Sequence, residues 1–369
     1  MCCGVSLPTA IIDPSAGRAK AAAAPVRAVA LWLLACCAMI FAMVVIGGIT
    51  RLTLSGLSIT EWQPVTGILP PLSTASWAAE FEKYRHIPQY RLLNAGMSLA
   101  DFQTIYWWEY VHRLWGRLIG IVYAVPFLYF WLRGRLPKRL LGPLGSILLL
   151  GAAQGALGWY MVESGLADRV DVSQYRLVTH LALALAIYGL TLWIALGLLL
   201  ERPRAGVAPG WRRGAETIIA LVALTIVAGG FVAGLHAGLT YNTFPLMDGR
   251  LVPLDYGQLQ PFFRNWFDNV AAVQFDHRVL AMTTAAAAGL LWLAGRHAPL
   301  PRSVRLALHA LLAAAAVQFG LGVSTLLLVV PIPLAAAHQA GAVLLLTAAI
   351  VLRHTLRPPQ LDATAGRAI

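Results

Sequence analysis

The chain has 369 residues, 59% of them hydrophobic and 12% charged, with a formal net charge of +12. Soluble domains carry about 25% charged residues, so this composition, with a mean hydropathy of +0.69, excludes an ordinary soluble protein and points to an integral membrane one. The positive balance alone would suit nucleic acid, but the basic residues fall where membrane topology puts them, and no nucleic-acid partner is implied.

Residues 1–27 are Ala-rich and polar, and a disordered cytoplasmic tail is expected there. Eight apolar stretches follow, at 29–50, 111–132, 140–162, 177–200, 215–236, 271–295, 306–330 and 334–352. Each approaches the roughly 20 residues that cross a bilayer as a helix, and none shows the alternation of a barrel strand. The fold class expected is all-α integral membrane. The first stretch carries Cys36 and Cys37 after Leu33-Leu34-Ala35, a loose likeness to a lipoprotein cleavage box. The apolar run continues to Ile49, as a retained span would. Cys2, Cys3, Cys36 and Cys37 all lie outside the outer loops, so no exported disulfide is implied.

The first outer loop, about 51–110, is long. Trp77, Phe81 and Tyr84 recur in it at helical spacing, which predicts an amphipathic helix on the outer membrane face. The outer loop at about 237–270 holds Phe262, Phe263, Trp266 and Phe267, an aromatic belt segment. With the N-terminus inside, the inner segments hold 17 of the 28 basic residues and four of the 16 acidic ones. That asymmetry places both termini in the cytoplasm.

The chain reads as an internal duplication. Gly47-Gly48 matches Gly229-Gly230, Ser55-Gly56-Leu57 matches Ala237-Gly238-Leu239, and His112-Arg113 matches His277-Arg278. Gln154 and Gly158 match Gln318 and Gly322, and His180 matches His338. Four spans per half give both halves one orientation, hence two tandem four-helix bundles related as a parallel repeat. The divisions are a tail over 1–28, a first bundle over 29–200, a linker over 201–214, a second bundle over 215–352 and a tail over 353–369.

Nine histidines occur. His86, His297 and His354 fall in loops or tails and His309 near an inner helix end, as solvated polar residues do. His236 ends the fifth span, where the first half has Leu54, and reads as a loop or propionate contact rather than an iron ligand. His112, His180, His277 and His338 lie early in the four even-numbered spans, at one depth below the outer face. An ionisable residue inside a span is a functional-site hypothesis by default. Two imidazoles facing each other within one bundle suit the axial positions of a heme iron. The residue one turn on is small each time (Gly116, Ala184, Ala281 and Ala342), as a flat macrocycle against the helix requires. The competing account is a set of helix–helix hydrogen bonds. Zinc or copper fits less well, because two imidazoles do not complete a tetrahedral site.

Arg113, Arg117 and Arg278 suit heme propionates, or else snorkel to the interface. Glu109, three residues before His112, corresponds to Gln274 in the second half. Either the first half uses a carboxylate chemically, or Glu109 is an interfacial acid paired with Arg113.

Glu109-Tyr110-Val111-His112-Arg113, Gln154-Gly155-Ala156-Leu157-Gly158, Tyr241-Asn242-Thr243-Phe244-Pro245-Leu246-Met247-Asp248-Gly249, Gln274-Phe275-Asp276-His277-Arg278 and His338-Gln339 together resemble the heme A synthase family over about 29–352. Tyr106-Trp107-Trp108 in the long first loop resembles its alphaproteobacterial and mitochondrial branch. The cysteine pairs of Gram-positive members are absent, so no disulfide-linked step carries over. The resemblance implies oxidation of the C8 methyl of heme O to the formyl of heme A, for cytochrome oxidase biogenesis. His112 and His180 would flank the substrate, His277 and His338 would hold a resident heme b, and Glu109 would be the carboxylate beside the substrate. It implies an inner-membrane enzyme among membrane lipid that takes heme O from heme O synthase and meets cytochrome oxidase assembly factors, with room for a homo-oligomer. The rivals are a bis-histidine cytochrome b-type electron carrier and a transporter.

Overall fold

In a computed structural model of the chain, the described residues are 14–63, 66–200 and 206–358. Cys2 and Cys3, with residues 1–13 of the first tail and 359–369 of the last, lie outside them. Eleven α-helices form: α1 (Pro14–Leu52), α2 (Thr74–Arg85), α3 (Pro88–Leu93), α4 (Leu99–Leu132), α5 (Lys138–Asp168), α6 (Gln174–Leu199), α7 (Pro209–Gly234), α8 (Asn265–Asp268), α9 (Val270–Gly295), α10 (Arg302–Leu327) and α11 (Ile332–Thr355). Eight of these, all but α2, α3 and α8, are long and apolar enough to cross a membrane.

Two boundaries differ from the sequence reading. α1 is helical back to Pro14, because the run Ala21–Ala24 favours helix although Arg18, Lys20 and Arg27 around it keep the stretch out of an apolar span. α4 starts at Leu99 rather than near 111, so Tyr106, Trp107, Trp108 and Glu109 are helical. A capping box starts it: Ser98 Oγ accepts from Asp101 N at 3.2 Å, and the Asp101 carboxylate accepts from Ser98 N at 3.3 Å.

The expected helix after the first span is α2, capped by Ser73 and Ser76. Its aromatic stripe does not face lipid. Trp77 packs edge-on to Tyr106, Phe81 and Tyr84 pack against Phe102, and Tyr84 and Phe102 are fully buried. The outward extension of α4 supplies this apolar partner. Phe262, Phe263 and Trp266 stay about half exposed, while Phe267 packs on Phe231.

In the first half α1 packs on α4 and α6, and α5 closes the ring between them; in the second half α7 packs on α9 and α11, and α10 closes the ring. The order of contacts is the same, as a tandem repeat would give. The bundles meet along α6–α7 and α1–α11. There Gly230 presses against Val178, where an added Cβ would lie 2.9 Å from Val178 Cγ2. Gly48 faces the Gln339 carboxamide, whose Nε2 donates to Val44 O at 2.8 Å. The main apolar core, including Leu33, Leu144, Leu192, Val222, Leu311 and Leu352, runs through both bundles and across the seam.

Candidate functional site: four histidines on four glycines

His180, His277 and His338 lie six or seven residues into α6, α9 and α11. At 1.5 Å per residue that is roughly 10 Å from the outer helix ends. His112 lies deeper into the longer α4, whose added outer turns dock α2. Each ring rests against a glycine of the neighbouring helix. A Cβ on Gly47 of α1 would lie 3.1 Å from His112 Nε2. The corresponding distances to Cε1 are 3.0 Å for Gly158 and His180, 2.9 Å for Gly229 and His277, and 2.8 Å for Gly322 and His338. These are the glycines matched in the repeat. Their missing side chains let an imidazole lie flush on the next helix.

Within the second bundle the two rings face each other. The His277 and His338 centroids are 6.5 Å apart, with planes at 87°. Two imidazoles that each approach one ion at a nitrogen–metal distance of about 2.0–2.1 Å need a centroid separation of roughly 6 Å. The residues present therefore fit a heme iron held from both sides. His277 is oriented from behind, its Nδ1 3.1 Å from Thr225 O. Gln318 Nε2 lies 3.1 Å from His338 Nδ1.

Glu109 is buried, 2% exposed, and its four acceptor positions are taken. Oε2 accepts from Ser58 Oγ and Ile59 N, each at 2.8 Å, and Oε1 accepts from Arg113 Nε at 3.0 Å and Nη2 at 2.7 Å. Arg113 also donates to Ile59 O and Glu61 O. The pair thus clamps the chain leaving α1. Gln274 and Arg278 do the same to the chain leaving α7. Gln274 Nε2 donates to Ala237 O and Thr240 O, and Arg278 donates to Tyr241 O, Thr243 O and Gln274 Oε1. The acid–amide difference follows the partners. The first loop offers an N–H and a hydroxyl, which need an acceptor, and the second offers two carbonyls, which need a donor.

Arg117 donates to Gln63 O at 2.8 Å and, with Arg113, Glu61, Glu80, Tyr106 and Tyr110, lines an outer cavity of about 170 Å³. The Tyr241–Gly249 motif is a loop held to two helices. Asn242 Nδ2 donates to Leu326 O of α10, Phe244 meets Phe319 edge-on, and Arg278 of α9 takes the Tyr241 and Thr243 carbonyls. Burial first, then the hydrogen bond to Asp255, pushes the Tyr241 phenol up.

Of the other histidines, His86, His297 and His309 are exposed. His236 is a loop contact: in left-handed backbone (φ 53°), as Leu54 is at the matching place, its Nε2 lies 2.7 Å from Asp171 Oδ2 and 2.8 Å from Arg51 Nη2. His354 is not in a solvated tail. α11 continues to Thr355, so His354 is 1% exposed with its ring edge-on to Trp193. Gln154, Gln318 and Thr225 were not singled out as site residues from sequence, although the repeat matched the two glutamines.

The family described as "Cytochrome oxidase assembly protein" (COX15-CtaA) matches residues 30–350. The chain belongs to this family. Among its relatives, "Heme A synthase" of Nitrosospira multiformis is 54% identical over 90% of this chain and 94% of its own length. "Heme A synthase" of Rhodospirillum centenum is 53% identical over 95% and 93%. "Heme A synthase COX15" of Homo sapiens is 45% identical over 90% and 83%. The COX15-CtaA match spans both histidine pairs and both loop clamps.

Proposed function

We propose that this COX15-CtaA member is a heme A synthase, oxidising the C8 methyl of heme O to the formyl of heme A. The observation that carries the reading is the seating of four intramembrane imidazoles on four repeated glycines, as two pairs in two bundles. Relatives named heme A synthase at 45–54% identity support the substrate class. His112 and His180 would hold heme O in the first bundle, and His277 and His338 a resident heme b in the second. Bound heme supplies the redox chemistry, and the conversion removes four electrons from one carbon.

The chain's own residues fix position and charge. Glu109 is a carboxylate whose acceptor positions are filled by Ser58, Ile59 and Arg113, so it is held in one place beside the substrate half, where it can act electrostatically. Arg113, Arg117 and Arg278 supply positive charge for the propionate edges, Arg113 and Arg278 also gripping loop carbonyls. A heme b held by His277 and His338 would supply a redox-active group in the second bundle. The charge asymmetry of the connecting segments supports an inner-membrane protein with both termini cytoplasmic. Hand-over from heme O synthase and to oxidase assembly factors fits a substrate and product that are both hydrophobic.

The test is to extract pigments from membranes containing heme O, with and without the protein, and separate them by chromatography. Formyl heme is expected only with it. Unchanged heme O beside protein with intact heme spectra rejects the synthase and leaves a bis-histidine electron carrier.

A further inference from the structure

In each bundle a glutamine on the third span reaches the histidine of the fourth. Gln318 Nε2 donates to the main-chain carbonyl of His338 at 3.0 Å and lies 3.1 Å from the ring Nδ1. Gln154 Nε2 makes the same bond to His180 O at 3.0 Å. Each glutamine sits one helical turn before the glycine that seats the ring. In both carboxamides the oxygen is buried with no partner among the described residues, and so is Nδ1 of His180. A buried polar atom without a partner costs about 1–3 kcal/mol. Its recurrence at matched places in the two halves points to a use.

An imidazole that gives its Nε2 lone pair to a metal carries its proton on Nδ1, and that proton is ordinarily donated to an oxygen behind the ring. For His277 the oxygen is Thr225 O, which can only accept. His338 has a carboxamide instead, which can present either end. In the geometry observed Gln318 presents its nitrogen, the partner for a ring whose Nδ1 is bare. A half-turn of the amide gives up the bond to His338 O and presents the unused oxygen, the partner for a ring whose Nδ1 is protonated.

We infer that Gln318 is a positioning residue that sets the tautomer of His338: the carboxamide donates while the ring is free and turns to accept the Nδ1 proton when Nε2 is a ligand. The inference rests on the heme reading proposed above. It differs from a helix–helix hydrogen bond in making the glutamine part of the electronic environment of the ligand. An acceptor behind the ring raises ligand basicity, which favours ferric over ferrous iron.

The test is the midpoint potential and ferric low-spin signal of the resident heme in the purified holoprotein. Gln318→Leu, which removes the acceptor, is expected to raise the potential. Gln318→Glu, which accepts more strongly, is expected to lower it. Each tenfold change in the ferric-to-ferrous preference appears as about 59 mV. Shifts of opposite sign support the inference, and no shift, or shifts of one sign, overturn it. Should the Glu variant not accumulate, Gln318→Asn, whose amide is withdrawn by one methylene, must shift the potential in the Leu direction, and an unchanged value overturns the inference. Wild-type protein without a bis-imidazole signal removes the heme reading and the inference with it, which separates the two failures.

Discussion

The two halves share a frame and differ in how tightly they close it. α9 and α10 are 22% buried over their membrane-spanning stretch against 11% for α4 and α5, whereas α1 and α6, at 44% and 39%, are more buried than α7 and α11, at 22% and 28%; the difference is therefore confined to the second and third spans of each half. Gly151 of α5 is exposed, while Ala315, its counterpart on α10, is 4% exposed. In the second half His277 has a carbonyl behind its ring and His338 a carboxamide nitrogen at Nδ1. In the first half Nδ1 of His180 has no partner among the described residues. The first half also carries the long outer segment with α2, α3 and the cavity, where the second has a shorter loop. Such a difference suits a resident group in the second bundle and a transient one in the first. A group that stays gains from closely packed walls and fixed ligands, whereas a substrate must enter and leave.

The largest expected effect tests the closed half. His277→Ala or His338→Ala leaves one imidazole of the facing pair, and each should lose the low-spin heme signal of the purified protein. An unchanged spectrum in both variants would remove the ligand assignment. The counterpart His112→Ala should keep that signal and abolish heme A production, so the two halves separate in one pair of assays.

Glu109→Gln comes next. The carboxylate takes two hydrogen bonds from Ser58 and Ile59 and two from Arg113. An amide can accept at only one end and would turn its N–H groups against donors at the other. Loss of the charge beside the substrate is expected to lower heme A output by roughly 10² or more, in the range of removing one preorganised electrostatic group. Heme b should be retained. Heme O to heme A ratios at matched protein measure it. Gln274→Glu is the mirror experiment. A carboxylate there would face the Ala237 and Thr240 carbonyls, and a drop in folded protein is expected, with a loop near 237–243 opened to protease. If both swaps are neutral, the loop-clamp account of the acid–amide difference fails.

Much of this was legible in the sequence. Eight spans followed from hydropathy, and the four histidines from charge cost and repetition. The glycines were visible as matched positions, yet their use was hidden. A glycine's partner lies on another helix, and the pairing Gly322 with His338 is set by packing rather than by spacing along one chain. The start of α4 is hidden from hydropathy because Asp101 and Glu109 dilute it, although Ser98 and Asp101 spell a capping box. His354 was misplaced for the same reason: Arg353 and Arg357 beside it look like a tail, and the apolar wall that buries it belongs to α6. The pairing of Glu109 with Arg113 is legible from their spacing, but the loop partners that separate Glu109 from Gln274 lie more than 30 residues away in sequence.

A smaller effect is expected from filling the ring seats. A methyl on Gly322 would meet His338 Cε1 at 2.8 Å, closer than Cβ atoms are found, and one on Gly158 would meet His180 Cε1 at 3.0 Å. Overpacking of this kind costs about 1–3 kcal/mol, roughly tenfold to a hundredfold in an equilibrium. Gly322→Ala should release the resident heme faster by about that factor. Gly158→Ala should leave resident heme in place and lower heme A output.

The smallest effect concerns Gly155, three residues from Gly158 on the same helix. An added Cβ there meets nothing within 4 Å. Glycine inside a helix costs roughly 0.5–1 kcal/mol relative to alanine, through its greater freedom when unfolded. Gly155→Ala should therefore hold or slightly raise the melting temperature in detergent and leave heme A output unchanged, while Gly158→Ala lowers output. The two substitutions add the same methyl to one helix and differ only in whether an imidazole occupies the space. Equal losses of output would show that α5 needs glycine for its own backbone or for a lipid-facing approach, and the ring seat would not be the reason for Gly158. Loss in Gly158→Ala alone assigns the effect to the histidine.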